Sequence, residues 1–133
     1  MSITMNQAGV IANRFQNIED YKRVVTVCSA GCLRSPTAAV VLAQDPFNFN
    51  TRAAGLTDEY ALILLSPSLL SWADEFVVME PAMKAAVRLK FADAFGRETE
   101  KLIVVLDIPD IYAYRDPELM KLIKDRYLEV TSE

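Results

Sequence analysis

Short apolar runs alternate with longer amphipathic stretches along the chain. Four of the runs are short and rich in β-branched or other apolar residues, as strands are. They are Arg23 to Cys28, Phe49 to Ala53, Glu75 to Met79 and Lys101 to Leu106. Each interval between them is long enough for a crossover helix, and such alternation favours a parallel sheet. We therefore expect a three-layer α/β fold with about four parallel strands and helices on both faces.

Serine, proline and glycine mark the predicted helix boundaries. The predicted helices are Thr37 to Gln44, Ser68 to Ala73, Pro81 to about Phe95, and Asp116 to about Val130. Ser35 and Ser66 each precede a proline and are placed to cap the first two helices. Gly96 is placed to end the third. The run Ala61 to Leu65 is too short to distinguish a strand from a helix, and the choice stays open.

The N-terminal segment precedes the first predicted strand. Between Met5 and Asp20, the residues Ile11, Phe15 and Ile18 recur at helical spacing, which predicts an amphipathic helix packed on the rest of the chain. We therefore divide the chain into a helical extension, residues 1–22, and an α/β domain, residues 23–133. Neither a linker nor an internal repeat separates further units.

Composition and charge narrow the classes of function. The chain has a net charge of −4, two cysteines and no histidine. The acidic balance argues against a nucleic-acid partner, and no window approaches the ~18 apolar residues of a membrane span. The absence of histidine excludes Ser-His-Asp and Cys-His catalysis, and two cysteines are too few for a four-thiolate zinc site. We expect no metal, no cofactor and, without a secretory signal, a cytoplasmic location; the oligomeric state stays open.

The loop after the first strand carries the candidate chemistry, because parallel sheets bind ligands beyond the carboxyl ends of their strands. Cys28 ends that strand, Arg34 follows six positions later, and Ser35 begins the helix. The intervening residues are Ser29, Ala30, Gly31, Cys32 and Leu33. Their backbone N–H groups and the helix N-terminus predict an anion cradle, which the guanidinium fork of Arg34 would complete. Such a cradle favours a thiolate on Cys28, a nucleophile that needs no histidine.

At these residues the chain resembles the low-molecular-weight protein tyrosine phosphatase family. The phosphate loop, Val27 to Ala38, carries most of the resemblance, and Arg52 to Gly55 and Ala73 to Glu80 support it. Leu106 to Leu119 is similar to a compact bacterial branch of the family. The resemblance implies a phosphomonoester hydrolase that acts through a phosphocysteine at Cys28. Its substrate would be a phosphotyrosine protein or a small aryl phosphate.

The same resemblance implies roles for other side chains. Arg34 would clamp the phosphate, and the Ser35 hydroxyl would hydrogen-bond to the thiolate. Asp110 would protonate the leaving oxygen and then activate water. Asp107 directly follows the fourth strand, where we expect it to orient the loop, although it too is close enough to be the acid.

Tyr112 and Tyr114 would flank the slot for the substrate ring, as flat aromatic walls. The phosphate loop departs from the family pattern at two points. Ala30-Gly31 stands where the family has Gly-Asn, and Cys32 lies one residue earlier than the second loop cysteine of the family. These departures leave the substrate and the redox role of Cys32 open.

Three other functions are compatible with the sequence. The same scaffold supports arsenate reduction, although the two cysteines would then need a thiol partner. The segment Val27 to Gly31 also resembles the phosphorylated loop of a phosphocysteine carrier module, which transfers phosphate without hydrolysing it. The altered loop is compatible as well with a phosphopeptide-binding protein of weak activity.

Overall fold

We describe a computed structural model of the chain over residues 4–5, 11–12, 21–28, 34–56, 63–109 and 111–131. In chain order the elements are β1 Thr4–Met5, β2 Ile11–Ala12, β3 Arg23–Cys28, α1 Arg34–Leu42, β4 Asn50–Gly55, α2 Pro67–Trp72, β5 Glu75–Val78, α3 Pro81–Phe95, β6 Leu102–Val105 and α4 Pro117–Thr131. Within these ranges, no helix is both long and apolar enough to cross a membrane.

Strands β3 to β6 form a four-stranded sheet in the order β4-β3-β5-β6, and every pair is parallel. In the register, Val24 of β3 lies opposite Thr51 of β4 and Glu75 of β5, and Glu75 lies opposite Leu102 of β6. The two central strands are almost entirely buried, as expected for a sheet covered on both faces. The predicted parallel α/β class is therefore confirmed.

The helices form layers on the two faces of the sheet. The chain leaves β3 through α1 toward β4, and leaves β5 through α3 in the opposite direction toward β6. Because parallel crossovers are right-handed, α1 and α3 must lie on opposite faces. Helix α4 packs against α1, and α2 packs against α3. The largest fully buried side chains of the core include Phe76, Leu42, Leu70, Met79, Leu106, Leu119 and Ile123.

Most predicted boundaries lie within two residues of the observed ones. Helix α3 spans Pro81–Phe95 as predicted, and Gly96 ends it in a left-handed conformation with φ of 71°. Ser66 caps α2 by accepting a hydrogen bond from the backbone N–H of Leu69. Leu64, in the run left open above, forms an isolated parallel bridge with Gly55. This run therefore extends the sheet at one residue only, with residues 61–62 outside the described part.

The first helix of the α/β domain begins earlier than predicted. It begins at Arg34 rather than Thr37, so Ser35 lies in its first turn and the predicted capping role of Ser35 is wrong. The hydroxyl of Thr26 donates a hydrogen bond to the carbonyl of Ser35 at 2.6 Å. This contact holds the first turn against β3, a long-range constraint that local sequence signals do not contain.

The N-terminal segment contains paired strands rather than the predicted helix at the residues described. β1 and β2 are antiparallel, with Thr4 opposite Ala12 and Met5 opposite Ile11, so the helix prediction is wrong at Met5, Ile11 and Ala12. In so short a segment, the spacing of apolar residues does not distinguish a helix from a strand. Hydrogen bonding between β1 and β2 determines the strand conformation here. Strand β2 lies against α1, whereas the division of the chain at residue 22 stays a prediction.

Candidate active site

The candidate site lies where the direction of the chain connections reverses, between the neighbouring strands β3 and β5. Open α/β sheets bind ligands at such a point, beyond the carboxyl ends of the strands. The ladder continues past the strands here: Met79 N–H donates to Val27 O at 3.2 Å, and Ile108 N–H donates to Met79 O at 2.8 Å. Cys28 and the two loops after β5 and β6 are thereby brought together at one edge.

Cys28 ends β3 with its side chain turned into the protein. The residue is 3% exposed, and its Sγ lies 3.1 Å from the Oγ of Ser35. The Ser35 hydroxyl is itself fully buried and also lies 3.4 Å from the carbonyl of Ala54, to which it can donate. Since a hydroxyl rotates to suit its partners, the same Oγ–H can donate to a thiolate on Cys28.

Thr26, on the same strand as Cys28, holds Ser35 in place beside it. Its side chain is fully buried, and its 2.6 Å hydrogen bond to the Ser35 carbonyl joins β3 to the start of α1. A shift of α1 along β3 would break that bond and leave the buried hydroxyl only a longer contact, 3.4 Å, with the carbonyl of Arg52. This role of Thr26 has no signal in the sequence, because threonine is an ordinary strand former.

Arg34 begins α1 and is buried, with 3% of its surface exposed. Its Nη1 donates to the Oε1 of Glu80 at 2.9 Å and to the backbone carbonyl of Ile108 at 2.8 Å. These bonds fix one nitrogen of the guanidinium between the loops after β5 and β6. The Nε and Nη2 edge has the fork geometry that matches two phosphate oxygens.

Glu80 and Ile108 are site residues that the sequence analysis did not single out. Ile108 contributes a backbone carbonyl, for which its side-chain type gives no signal. Glu80 did leave a signal, because it is acidic and follows an apolar strand closely, at the end of the sheet where ligands bind. Its contact with Arg34 spans 46 sequence positions and becomes visible only once the strands are aligned.

The loop after β6 holds the candidate acids. Asp107 is exposed and adopts a left-handed conformation with φ of 56°. Arg126 of α4 donates from Nη1 to the carbonyls of Leu106 and Asp107, at 3.0 and 3.2 Å. The start of the loop is thus tied to α4 through its backbone, whereas the orienting role of the Asp107 side chain stays a prediction.

The far end of the same loop carries the two tyrosines. Tyr112 is half-buried and packs against the core, whereas Tyr114 is exposed. The Oγ1 of Thr37 on α1 accepts a hydrogen bond from the backbone N–H of Arg115 at 2.9 Å. This bond holds the loop at the end of the sheet that carries Cys28.

The structure therefore brings three of the predicted site residues together, namely Cys28, Arg34 and Ser35. Asp110 and the loop residues Ser29, Ala30, Gly31, Cys32 and Leu33 lie outside the described residues. In the part of the chain that is described, no cluster of three or more acidic or cysteine side chains could hold a metal ion. A buried thiol, a hydroxyl and a guanidinium together can hold an oxyanion and attack its centre.

Solved structures that are similar to this chain include phosphatases. A low-molecular-weight protein tyrosine phosphatase from Streptococcus pyogenes matches with a TM-score of 0.62 and 14% identity, over 84% of this chain and 94% of that one. The chain has the low-molecular-weight phosphatase fold. The tyrosine phosphatase Wzb from Escherichia coli K30, in complex with phosphate, matches with a TM-score of 0.58 and 18% identity, over 82% and 95% of the two chains.

The arginine phosphatase YwlE from Geobacillus stearothermophilus shares the fold as well. It matches with a TM-score of 0.55 and 22% identity, over 81% of this chain and 91% of that one. No protein-family model matches the chain, and no curated protein matches its sequence. The similarity is therefore one of fold, and the chemistry of this chain must be argued from its own residues.

Proposed function

We propose that the chain is a metal-independent phosphatase that hydrolyses phosphate monoesters through a phosphocysteine on Cys28. The observation that carries the proposal is the arrangement of Cys28, Ser35 and Arg34 at one sheet edge, with 3.1 Å between the thiol and the hydroxyl. All three side chains are buried. Charge interactions in such a site are screened less than at the surface.

In the first step the Cys28 thiolate attacks the phosphorus atom, and the bond between phosphorus and the leaving oxygen breaks. Arg34 holds two of the other phosphate oxygens with its Nε and Nη2 edge, while Nη1 stays bound to Glu80 and Ile108. Asp110 gives its proton to the leaving oxygen, so that an alcohol or phenol departs. The product of this step is a phosphocysteine.

In the second step water attacks the phosphocysteine, and inorganic phosphate leaves. Asp110, now a carboxylate, takes a proton from that water. The Ser35 hydroxyl, 3.1 Å from Sγ, donates to the thiolate as it leaves and so stabilises the restored nucleophile. Two displacements thereby replace one difficult direct hydrolysis.

The substrate we propose is phosphotyrosine in a protein, with small aryl phosphates as surrogates. Tyr112 and Tyr114 lie on the loop after β6, and aromatic side chains there suit a flat phenyl ring. Arginine phosphatases have the same fold, so phosphoarginine is the comparison that matters most. We expect phosphotyrosine to be hydrolysed faster.

The test is hydrolysis of p-nitrophenyl phosphate by the pure protein in the presence of a chelator. We expect turnover by the natural sequence and none above background by Cys28→Ser. Cys32→Ser makes the same atomic change four residues away and should keep measurable turnover. Activity that survives Cys28→Ser in a correctly folded protein would refute the proposed nucleophile.

The alternatives retained from the sequence predict different products. An arsenate reductase would consume thiol, a carrier would hold a stable phosphocysteine, and a binding module would retain phosphopeptide without releasing phosphate. The similar structures are phosphatases, so these alternatives gain no support from them. Measurement of released inorganic phosphate over many turnovers distinguishes all three from a phosphatase.

A further inference from the structure

A groove of about 540 Å³ runs beside the candidate site along one side of helix α3. We call it the α3 groove. Its lining includes Leu56, Glu80, Met83, Ala86, Leu89 and Asp93. Most of these side chains are apolar. Ala86 and a second alanine of the lining, Ala82, have small side chains that leave room for a partner.

The inner end of the α3 groove coincides with the phosphate clamp. Glu80 belongs to the lining, and its carboxylate accepts the 2.9 Å hydrogen bond from Arg34. Leu56 also belongs to it, and its backbone N–H donates to the carbonyl of Cys28 at 3.1 Å. A molecule whose phosphate lies on Arg34 would therefore lie next to the inner end of the groove.

The length of the groove exceeds that of an aryl phosphate. Ala82, Ala86, Leu89 and Asp93 recur at positions i, i+4, i+7 and i+11 of one helix face. At about 1.5 Å per residue that face is about 16 Å long, which matches roughly five residues of extended peptide. Leu89 is 64% exposed, a large apolar side chain available for contact.

The charges along the groove disfavour a strongly charged partner segment. Glu80 at the inner end is already paired with Arg34. Lys90 and Asp93, at the outer end, have opposite signs and give little net potential. The lining is therefore suited to an uncharged segment with an apolar side chain.

We propose that the α3 groove binds the polypeptide of the substrate beside its phosphorylated residue, with an apolar side chain of that polypeptide near Ala86 and Leu89. This inference rests on the proposed phosphatase function and makes the physiological substrates phosphoproteins rather than small esters. The groove then discriminates between substrates that present the same phosphorylated residue.

A second depression on α3 supplies a matched control. It is lined by Pro81, Lys84, Ala85 and Arg88 among others, and its lining includes neither Leu56 nor Glu80. Ala85 is thus adjacent in sequence to Ala86 on the same helix and lines the second depression but not the α3 groove, whereas Leu89 lies between the two and lines both. Equal substitutions at the two positions separate the groove from general effects on the helix.

The test compares three substrates: O-phospho-L-tyrosine and two phosphotyrosine peptides with leucines three to five residues before or after the phosphotyrosine. We expect one of the leucine peptides to exceed O-phospho-L-tyrosine in kcat/KM by about tenfold, the lower end of what burial of one leucine yields. Ala86→Trp should bring the ratio of kcat/KM between that peptide and O-phospho-L-tyrosine down to about one. Ala85→Trp should keep the ratio of the natural sequence. Ala82→Trp, at an exposed position that lines the α3 groove alone, should also lower the ratio and replaces Ala86→Trp as the test if that variant folds poorly.

The outcomes are distinguishable. Equal kcat/KM values for all three substrates, or equal effects of Ala86→Trp and Ala85→Trp, would refute the groove while the phosphatase function stands. A dimer that Ala86→Trp dissociates without a change in the ratio would assign the groove to a second copy and refute the proposal. If no substrate is turned over, the proposed function fails; peptide affinities of the two tryptophan variants, measured by fluorescence anisotropy, then decide the groove.

Discussion

Arg34 lies at the proposed phosphate site and contacts the loop that carries the proposed acid. Its Nη1 donates to the carbonyl of Ile108, two residues before Asp110, and to the carboxylate of Glu80. A lysine at this position would keep the charge but could not make both bonds and the phosphate fork at once. The proposed site therefore depends on the shape of the guanidinium as well as on its charge.

Arg34→Lys should lower kcat/KM for p-nitrophenyl phosphate by about 10²-fold or more, the typical loss when one preorganised donor is removed. Arg88→Lys makes the same change on the exposed side of α3 and should have little effect. Steady-state kinetics of both variants, after a check of folding by circular dichroism, measure the difference. A loss of less than fivefold in Arg34→Lys would contradict the fork.

Asp110→Asn should lower hydrolysis of phosphotyrosine by about 10²- to 10⁴-fold, the usual range for lost general-acid catalysis. The effect on p-nitrophenyl phosphate should be smaller in the phosphorylation step, because nitrophenolate leaves without a proton. Asp107→Asn should show no such dependence on the leaving group. Burst kinetics with both substrates measure it, and the opposite assignment follows if the dependence appears at Asp107.

The sequence contained part of this site and not the rest. Cys28, Arg34 and Ser35 lie within eight positions of one another, and the strand, the loop of small residues and the helix start around them predicted that they meet. Glu80, Ile108 and Thr26 could not be predicted in the same way, because their roles depend on contacts across the sheet or on backbone atoms.

At the scale of elements, the sequence predicted helix boundaries well where the residue at the boundary has a backbone conformation that suits a helix start or a helix end. Pro81 at the start of α3 and Gly96 at its end are such residues, and the structure confirms both. The paired strands β1 and β2 have no comparable signal, because Ile11 fits helical spacing and strand pairing alike. The pairing of β1 with β2, which the spacing of apolar residues does not reveal, determines the strand conformation of this segment.

Gly96→Ala should lower the free energy of unfolding by about 1 kcal/mol, since Gly96 has a φ of 71° and an L-residue is strained there. An added Cβ would meet nothing within 4 Å, so the loss comes from the backbone and not from a clash. Gly96→Asn should lose less, because asparagine tolerates this conformation better. Urea denaturation measures all three proteins; equal losses in the two variants would contradict this cause.

Asp74, directly before β5, should contribute stability that acid removes. Burial raises its pKa, but hydrogen bonds from the side chain and backbone N–H of Arg23 outweigh this and hold the pKa below the ordinary 3.8. A lowered folded pKa gives stability that is present above about pH 4 and is lost as the pH falls further. Asp74→Asn should therefore be less stable than the natural sequence at pH 7 and nearly equal to it at pH 2 to 3.

Urea denaturation at these two pH values checks the prediction for Asp74. Arg23→Met removes the side-chain hydrogen bond but keeps the one from the backbone N–H, so it should reduce the pH dependence only in part. A difference between Asp74→Asn and the natural sequence that stays constant down to pH 2 would show that the pair does not shift the carboxyl group.

At the scale of the whole molecule, the two ends of the sheet differ in the polar residues that they carry. The carboxyl end carries Cys28 and Arg34, whereas the amino end holds a buried polar cluster. There the Glu75 carboxylate is almost fully buried and accepts hydrogen bonds from the Nζ of Lys22 at 3.2 Å and from the hydroxyl of Tyr127 at 2.8 Å. The cluster joins β5 to α4 and to the residue before β3.

Tyr127→Phe should lower the free energy of unfolding by about 1 to 3 kcal/mol at pH 7, because the buried Glu75 carboxylate loses a hydrogen bond. Burial and the bond to Glu75 raise the pKa of Tyr127 above its ordinary 10.0. A raised folded pKa gives stability that is present below pH 10 and is lost as the pH rises further, so the difference between the two proteins should shrink at pH 11. Because Tyr127 lies at the end of the sheet opposite Cys28, kcat/KM for p-nitrophenyl phosphate should stay within twofold. Urea denaturation at both pH values, with kinetics at pH 7, measures these effects; a fall in kcat/KM that parallels the fall in stability would show that the two ends of the sheet are coupled.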